Sequence, residues 1–357
     1  MKMSQKPFSI YIHWPYCLSK CPYCDFASCP THKIDEVFLW QGYERDILSL
    51  PEGRPVHTIF FGGGTPSLMS GELCQKILNL IRQRHPIETD CEMTMEANPD
   101  AIDITKMESF RLAGINRLSI GVQSLLEDDL RFLGRRHSRK TALDRIEEAK
   151  QIFSELSIDL IYARPNQTKE AWQEELSEAL SLGLNHYSLY QLSVEEGTPF
   201  AQRGIRVPDE DVAADLYRMT DDIMTQAGLP AYEVSNYATI GHECRHNLTY
   251  WRSGDYGAVG PAAHGRMGLW AIQNPPNVKV WAEKGGRRTK LTLKERQIEY
   301  IMMGMRLRQE GYPISELNQS GVNEAIRRQW GYEKEGCFFA TLEGVLMLNQ
   351  LILLLLP

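Results

Sequence analysis

The chain has no long hydrophobic run. Across 357 residues the longest uninterrupted apolar stretch is Leu351 to Leu356, far below the roughly twenty residues a helix needs to cross a bilayer. The opening residues, Met1 to Pro7, reach polar side chains at once and lack the apolar core of a secretory signal. Positive charge is not in excess either: 39 Lys and Arg against 46 Asp and Glu give −7, which argues against a wholesale nucleic-acid binder. Repeats of fixed period and low-complexity segments are missing as well. With 43% hydrophobic and 24% charged residues, the composition excludes membrane-spanning, collagen-like and disordered classes. It predicts a soluble globular chain of one large domain or two ordinary ones.

What the sequence does have is eight cysteines, at positions 17, 21, 24, 29, 74, 91, 244 and 337. Without a secretory signal a disulfide framework is the weaker reading, and clustering points to metal or redox chemistry. Three of them form Cys17-x-x-x-Cys21-x-x-Cys24, with Cys29 close behind. Cys74, Cys91 and Cys337 read as small buried hydrophobes.

Six β-rich runs recur along the first half: Ser9–His13, His57–Phe61, Glu92–Glu96, Arg117–Gly121, Ser157–Ile161 and His186–Gln191. Helical spacing is clearest over Ile34–Leu50, Met69–Arg84, Thr141–Phe153 and Glu170–Leu182, and Gly114, Gly183 and Gly228 stand where helix C-caps belong. Strand-then-helix units in series predict an α/β fold with a parallel sheet, open or curled into a partial (β/α)6 barrel. In such sheets ligands sit at the C-terminal strand ends. After about residue 230 the alternation stops, and Tyr232–Gly268 reads as irregular or short-stranded. A new helical pattern, Lys294–Glu310, follows turn signals at Asn274–Asn277 and Lys284–Arg288. We therefore expect a core barrel over 1–230, a connecting region over 231–290 and a small, mostly helical C-terminal domain over 291–357.

The cysteine loop carries the chemistry. Cys17, Cys21 and Cys24 directly follow the first strand, which puts three thiols at the mouth of the sheet. A structural zinc site wants four closed ligands, usually from paired Cys-x-x-Cys knuckles, and no second knuckle exists here. Three thiolates suit an iron–sulfur cluster with one iron open to a non-protein ligand. Cys29 is either a fourth ligand or incidental. At the end of the second strand stands Phe61-Gly-Gly-Gly-Thr-Pro66, where residues without side chains allow close backbone approach to a ligand. The next strand ends carry Glu96-Ala-Asn-Pro99, Gly121-Val-Gln-Ser124 and Ile158-Asp-Leu-Ile-Tyr-Ala-Arg-Pro165.

Cys-x-x-x-Cys-x-aromatic-Cys, followed by a glycine-rich strand end, resembles the radical S-adenosylmethionine superfamily. The later segments resemble its branch of coproporphyrinogen dehydrogenases (HemN type) and haem chaperones (HemW type). The resemblance implies a radical SAM barrel whose [4Fe–4S] cluster is held by Cys17, Cys21 and Cys24. It places Tyr11, Gly63, Gly64, Thr65, Glu96, Gln123, Arg135 and Asp159 at S-adenosylmethionine-contacting positions. An Arg suits the methionine carboxylate, and Glu, Gln and Asp suit hydroxyls and amines.

Two departures separate this chain from the dehydrogenases. They carry a fourth cysteine where Phe26 stands, and they have an N-terminal extension where only sixteen residues precede Cys17 here. Cys244-Arg-His-Asn-Leu-Thr-Tyr-Trp251 instead resembles the chaperones' His-Asn-x-x-Tyr-Trp signature, which implies haem binding through His246, Tyr250 and Trp251, with Cys244 and His264 as further candidates. The residues alone leave two readings open. His246 is an axial haem ligand flanked by flat aromatic surface, or His246 and Asn247 bond neighbouring backbone while Tyr250 and Trp251 pack a domain junction. Arg164, beside the expected cofactor site, pairs with a carboxylate or a haem propionate, or points to solvent. The basic run Arg135–Lys140 reads, beyond Arg135, as a solvated loop.

The resemblance further implies haem, a haem-acceptor protein (membrane-associated respiratory proteins among the candidates) and an electron donor as partners. It implies a cytoplasmic location, with peripheral attachment at a membrane as an option. Leu351–Leu356 is most simply the buried face of a last helix. The alternative activity is oxygen-independent oxidative decarboxylation of coproporphyrinogen III.

Overall fold

The computed structural model describes residues 8–357; the polar heptapeptide from which a missing secretory signal was read lies outside them. Its frame is one eleven-stranded sheet. In chain order the strands are β1 (Phe8–Trp14), β2 (Val56–Gly63), β3 (Ile87–Ala97), β4 (Arg117–Gln123), β5 (Glu155–Tyr162) and β6 (His186–Gln191), then β7 (Asn236–Ala238), β8 (Asp255–Val259), β9 (His264–Met267), β10 (Trp270–Gln273) and β11 (Arg287–Lys290). Their spatial order is β11-β10-β9-β8-β1-β2-β3-β4-β5-β6-β7. Neighbours from β1 through β6 are all parallel, the α/β frame that the alternating pattern predicts. Every predicted strand falls within an observed one.

The strand sequences show why the sheet curls. In β1, Phe8, Ile10, Ile12 and Trp14 point to the main core, while Ser9, Tyr11 and His13 alternate to the other face. In β5, Leu156, Ile158 and Leu160 are buried in the core and Asp159 faces the opposite way. A polar inner face alternating with an apolar outer one is the pattern of a barrel whose lumen holds a ligand. Helices cover the outer face: α1 (Glu36–Leu48), α2 (Gly71–Arg84), α3 (Ile104–Ala113), α4 (Arg139–Ile152), α5 (Lys169–Ser181) and α6 (Glu210–Gln226). Their starts are fixed locally, since Ser70, Asp103, Ser138, Thr168 and Asp209 each accept a first-turn backbone N–H.

Beyond residue 230 the sheet continues on both sides. β7 pairs antiparallel with β6, whereas β8 pairs parallel with β1 and starts a hairpin series out to β11. Between them α7 (Arg245–Trp251) crosses the N-terminal end of the barrel, and α8 (Val278–Lys284) lies against α1. The tie to α8 is buried: Asp46 accepts from the Trp281 indole at 2.7 Å and from Asn274 at 2.9 Å.

The C-terminal part holds α9 (Leu293–Gly304), α10 (Gln319–Arg327), α11 (Leu348–Leu355) and a three-stranded antiparallel sheet around a second core. The helix expected over Lys294–Glu310 stops at Gly304, because Leu307 turns into the pocket formed by Tyr232 and Cys244. In the leucine run, Leu351 and Leu355 fill this core while Leu353 is 72% exposed. Among the described residues no helix is long and apolar enough to cross a membrane.

Candidate functional site

The cysteine loop leaves β1 at Trp14 and closes on itself. Tyr16–Cys17 pair with Cys29–Pro30, and the Cys29 and Thr31 amides donate to Pro15 and Cys17 carbonyls at 2.8 and 2.9 Å. His13 clamps the far side. Its Nε2 donates to the Ala27 carbonyl at 2.9 Å, which leaves Nδ1 to accept from the Tyr11 hydroxyl at 3.1 Å. Burial pushes the His13 pKa down, so the ring is neutral and this tautomer is the one the carbonyl selects. Tyr11 therefore acts on the loop through His13, and it lies beneath the cavity rather than on its wall.

All eight cysteines are free thiols. Cys17, Cys21 and Cys24 line one cavity of about 340 Å³ at the C-terminal ends of β2 to β6. Cys29 is exposed and lies off it. Burial raises the Cys17 and Cys24 pKa values, so binding a cluster there releases protons. Among the described residues no three His, Cys, Asp or Glu side chains lie close enough to share a single metal ion. Three soft donors spread around one cavity fit a multi-iron cluster better than one zinc ion.

The glycine-rich turn is dictated by this loop. A side chain at Gly64 would meet the Tyr16 carbonyl oxygen at 2.5 Å, and one at Gly63, whose φ is +110°, would meet the His13 ring at 2.7 Å. Thr65 is buried, and its amide donates to the same Tyr16 carbonyl at 2.8 Å. From there a chain of polar contacts spans the cavity. Asn98 donates to Thr65 Oγ1 at 3.0 Å and accepts from Arg135 Nη2 at 2.7 Å; Arg135 also donates to the Gly121 carbonyl at 2.8 Å and to Cys21 Sγ at 3.4 Å. Gln123 sits at a register shift in β4 with φ +73°, a strained conformation for a residue other than glycine.

Glu96 and Asp159 form the acidic side. Burial, together with Asp159 next to it, pushes the Glu96 carboxyl up to about 8, against an N–H bond from Gly63 at 3.2 Å. Burial raises Asp159 to about 6, although Ser119 donates to it at 3.1 Å. One cavity thus presents three thiols, the Arg135 guanidinium, the Lys20 amine, the carboxyls of Glu96, Asp159, Asp25 and Glu195, and open backbone. That set matches a ligand carrying an amine, a carboxylate and hydroxyls at once.

Seven of the eight positions read from the sequence as cofactor contacts share this cavity with the three cysteines; Tyr11 is the exception. Asn98 and Tyr190 also line it and were not singled out. Asn98 was within reach, as it stands two residues after Glu96 at the same strand end. Tyr190 comes from β6, where no motif flags it. Arg164 resolves differently from two of its readings. It is buried and paired with Glu175 and with Asp129 at 3.1 Å, away from the cavity.

The Cys244–Trp251 segment forms α7 at the opposite end of the barrel. Glu92, on β3, accepts from the Arg245 and His246 amides at 3.1 and 3.0 Å and from Cys244 Sγ at 3.4 Å. His246 is wholly buried against Phe60, with ring centroids 5.0 Å apart. Both ring nitrogens are engaged: Tyr250 Oη lies 2.7 Å from Nε2, and Thr58 Oγ1 lies 2.7 Å from Nδ1. Thr58 donates onward to Ser9 at 2.7 Å, Ser9 lies 3.0 Å from Thr249, and Thr249 donates to the Arg245 carbonyl at 3.1 Å. That order makes Nδ1 the donor and Nε2 the acceptor, and burial lowers the His246 pKa to about 3. Trp251 carries the Arg306 guanidinium over its ring at 4.6 Å. None of these residues, nor His264, lines the thiol cavity. The ring of His246 thus bonds side chains rather than neighbouring backbone: Thr58 on β2, reached across the barrel floor, and Tyr250 one turn along α7.

Comparison with known proteins meets this geometry at two levels. Residues 11–179 match the family model described as the radical SAM superfamily. Coproporphyrinogen III oxidase (HemN) from Escherichia coli, a radical SAM enzyme, shares the fold at TM-score 0.84 and 21% identity, over 98% of this chain and 90% of that one. The chain belongs to the radical SAM superfamily. Within it the chain falls in the HemN/HemW family, on the side of relatives named heme chaperone HemW. The Haemophilus influenzae relative is 35% identical over 98% of both chains, and the Escherichia coli one is 40% identical over 73% of this chain and 70% of that protein.

Proposed function

We propose that this protein is a haem chaperone: it binds haem and passes it to an acceptor protein, with a [4Fe–4S] cluster and S-adenosylmethionine in the strand-end cavity. The observation that carries the choice over coproporphyrinogen dehydrogenation is Phe26. Where the dehydrogenases carry a fourth cysteine, an apolar side chain stands 60% exposed at the cavity mouth. The HemW-named relatives support the same choice.

Cys17, Cys21 and Cys24 are the residues that would hold the cluster. Arg135 would take the methionine carboxylate, with Glu96, Gln123 and Asp159 for amine and hydroxyl groups and Gly63, Gly64 and Thr65 offering backbone. A reduced cluster supplies the electron that cleaves a carbon–sulfur bond of S-adenosylmethionine. The chain's own contribution is position: His13 and the Tyr16 carbonyl fix the loop, and the Asn98 bridge fixes Arg135. Thiolate ligation fits a reducing cytoplasm. A haem-acceptor protein, with membrane-associated respiratory proteins as candidates, and an electron donor complete the reading. Haem ligation by His246 requires Tyr250 or Thr58 to let go of the imidazole first.

The test is anaerobic. Haem titrated into the reconstituted protein is expected to give a saturable Soret band, while coproporphyrinogen III with a reductant gives no protoporphyrinogen. Robust turnover, or no haem binding, overturns the proposal. Cys17→Ser, Cys21→Ser and Cys24→Ser should each lose the cluster's visible absorbance; a full cluster in all three removes the ligand assignment.

A further inference from the structure

Besides the basic run Arg135–Lys140, whose Arg136, Arg139 and Lys140 are paired with carboxylates, the chain carries a second block of positive charge. Between Lys279 and Lys294 lie six cations, Lys279, Lys284, Arg287, Arg288, Lys290 and Lys294, against the single acid Glu283, in a chain of net charge −7. Arginines elsewhere in the fold are largely spoken for by carboxylates, as with Arg164, Arg266 and Arg308. None of these six forms an ion pair among the described residues. Arg288 reaches only the Ser49 carbonyl, at 3.0 Å, and Lys290 sits 6.0 Å from the Trp270 ring centre.

Three of the six come from β11, an outer edge of the sheet, whose four residues are all exposed. Charge on an edge strand deters pairing with other strands, and either sign would serve that purpose. Two apolar side chains beside the block go further. Trp270, paired with Lys290 across the ladder, is 45% exposed, and Leu293 is 76% exposed. Both lie toward the N-terminal end of β8, where the Gly268 amide donates to Asp255 at 2.8 Å and the Leu291 amide to the Leu269 carbonyl at 2.8 Å. This is the end of the barrel away from the thiol cavity.

From this juxtaposition we propose that the β10–β11 edge, with Trp270 and Leu293 at its tip, docks the protein on an anionic lipid surface. Cations on long side chains reach phosphate headgroups, while an indole and a leucine enter the headgroup boundary. A nucleic acid would use the charge but leave Leu293 in water. The surface differs from the leucine run considered in the sequence, whose Leu351 and Leu355 are committed to the C-terminal core. The inference stands apart from the haem reading.

The experiment is flotation of the full-length protein with phosphatidylcholine vesicles, alone or with about one-third phosphatidylglycerol. Binding is expected only to the anionic vesicles, and weaker when salt rises from about 0.05 to about 0.5 M. Arg287→Glu/Arg288→Glu/Lys290→Glu should bind at least about tenfold more weakly, and Trp270→Ala/Leu293→Ala should also weaken binding. Lys140→Glu, an exposed cation elsewhere, should bind like wild type, and near-ultraviolet circular dichroism checks that each variant is folded. No binding to anionic vesicles, equal binding to neutral ones, or full binding by the triple variant overturns the proposal. Tight retention of a duplex oligonucleotide without vesicle binding assigns the patch to nucleic acid instead and overturns it too.

Discussion

At the scale of single residues, Glu96 and His246 carry opposite pH signatures. The Glu96 carboxyl titrates at about 8 in the fold against an ordinary 4.5, so the folded state holds the extra proton. The stability that this proton supports is complete below about pH 4.5 and is lost as pH rises through about 8. Glu96→Gln is therefore expected to raise the Tm of the ligand-free protein at about pH 9 far more than at about pH 5; a constant difference across that range refutes the assignment. His246 is lowered to about 3 from 6.5, so its contribution is present above about pH 6.5 and lost as pH falls toward 3. His246→Ala should cost about 3 kcal/mol in urea unfolding, from the broken relay and the gap against Phe60. With the imidazole spent on Thr58 and Tyr250, the variant's Soret spectrum should match wild type. Residue types at strand ends were legible in the sequence because each motif is local. The burial of His246 was not, because its partner Thr58 lies 188 residues away and Ser9, which takes the next bond of the relay from Thr58, lies farther still.

Among the elements, the difference between local and distant caps decided what was readable. Thr292 and Glu295 form a reciprocal capping box within four residues, and Ser70 caps α2 one way only, by accepting the Leu73 amide. The seven-residue α7 has no such signal: Cys244 makes no side-chain cap, and the carboxylate of Glu92 does the work from β3. Glu92 also lies 3.6 Å from Arg117, itself buried. Glu92→Ala is expected to cost about 3–5 kcal/mol, because it leaves the Arg245 and His246 amides and the Cys244 thiol without their acceptor and takes from Arg117 one of its two carboxylates, the other being Glu155 at 3.3 Å. Urea denaturation followed by tyrosine and tryptophan fluorescence measures it. In α11 the same residue type gives two outcomes: Leu351→Ala should cost about 2–5 kcal/mol, while Leu353→Ala should stay within about 0.5 kcal/mol. Similar losses at both sites would mean that the helix docks on another face.

On the scale of the whole molecule, chain order and spatial order part company. β1 is flanked by β2 on one side and by β8, made almost 250 residues later, on the other. A break in strand–helix alternation near residue 230 was plain in the sequence. That the later chain returns to finish the sheet was not, since nothing local in Asp255–Val259 marks it as the partner of Phe8–Ile12. A fragment comprising residues 1–230 is expected to be insoluble or to unfold without a cooperative transition, with the edge of β1 bare and α7 missing. A sharp, reversible melt by that fragment would refute this. The position of α7 has one more consequence. With the relay across the barrel floor, the exposed part of the cavity lining, Lys20, Phe26, Tyr190 and Glu195 among it, marks the open side from which molecules reach the thiols. Traffic through such a chamber is last in, first out. Whatever binds deepest must arrive earliest, and its departure is governed by the residence time of whatever arrived after it.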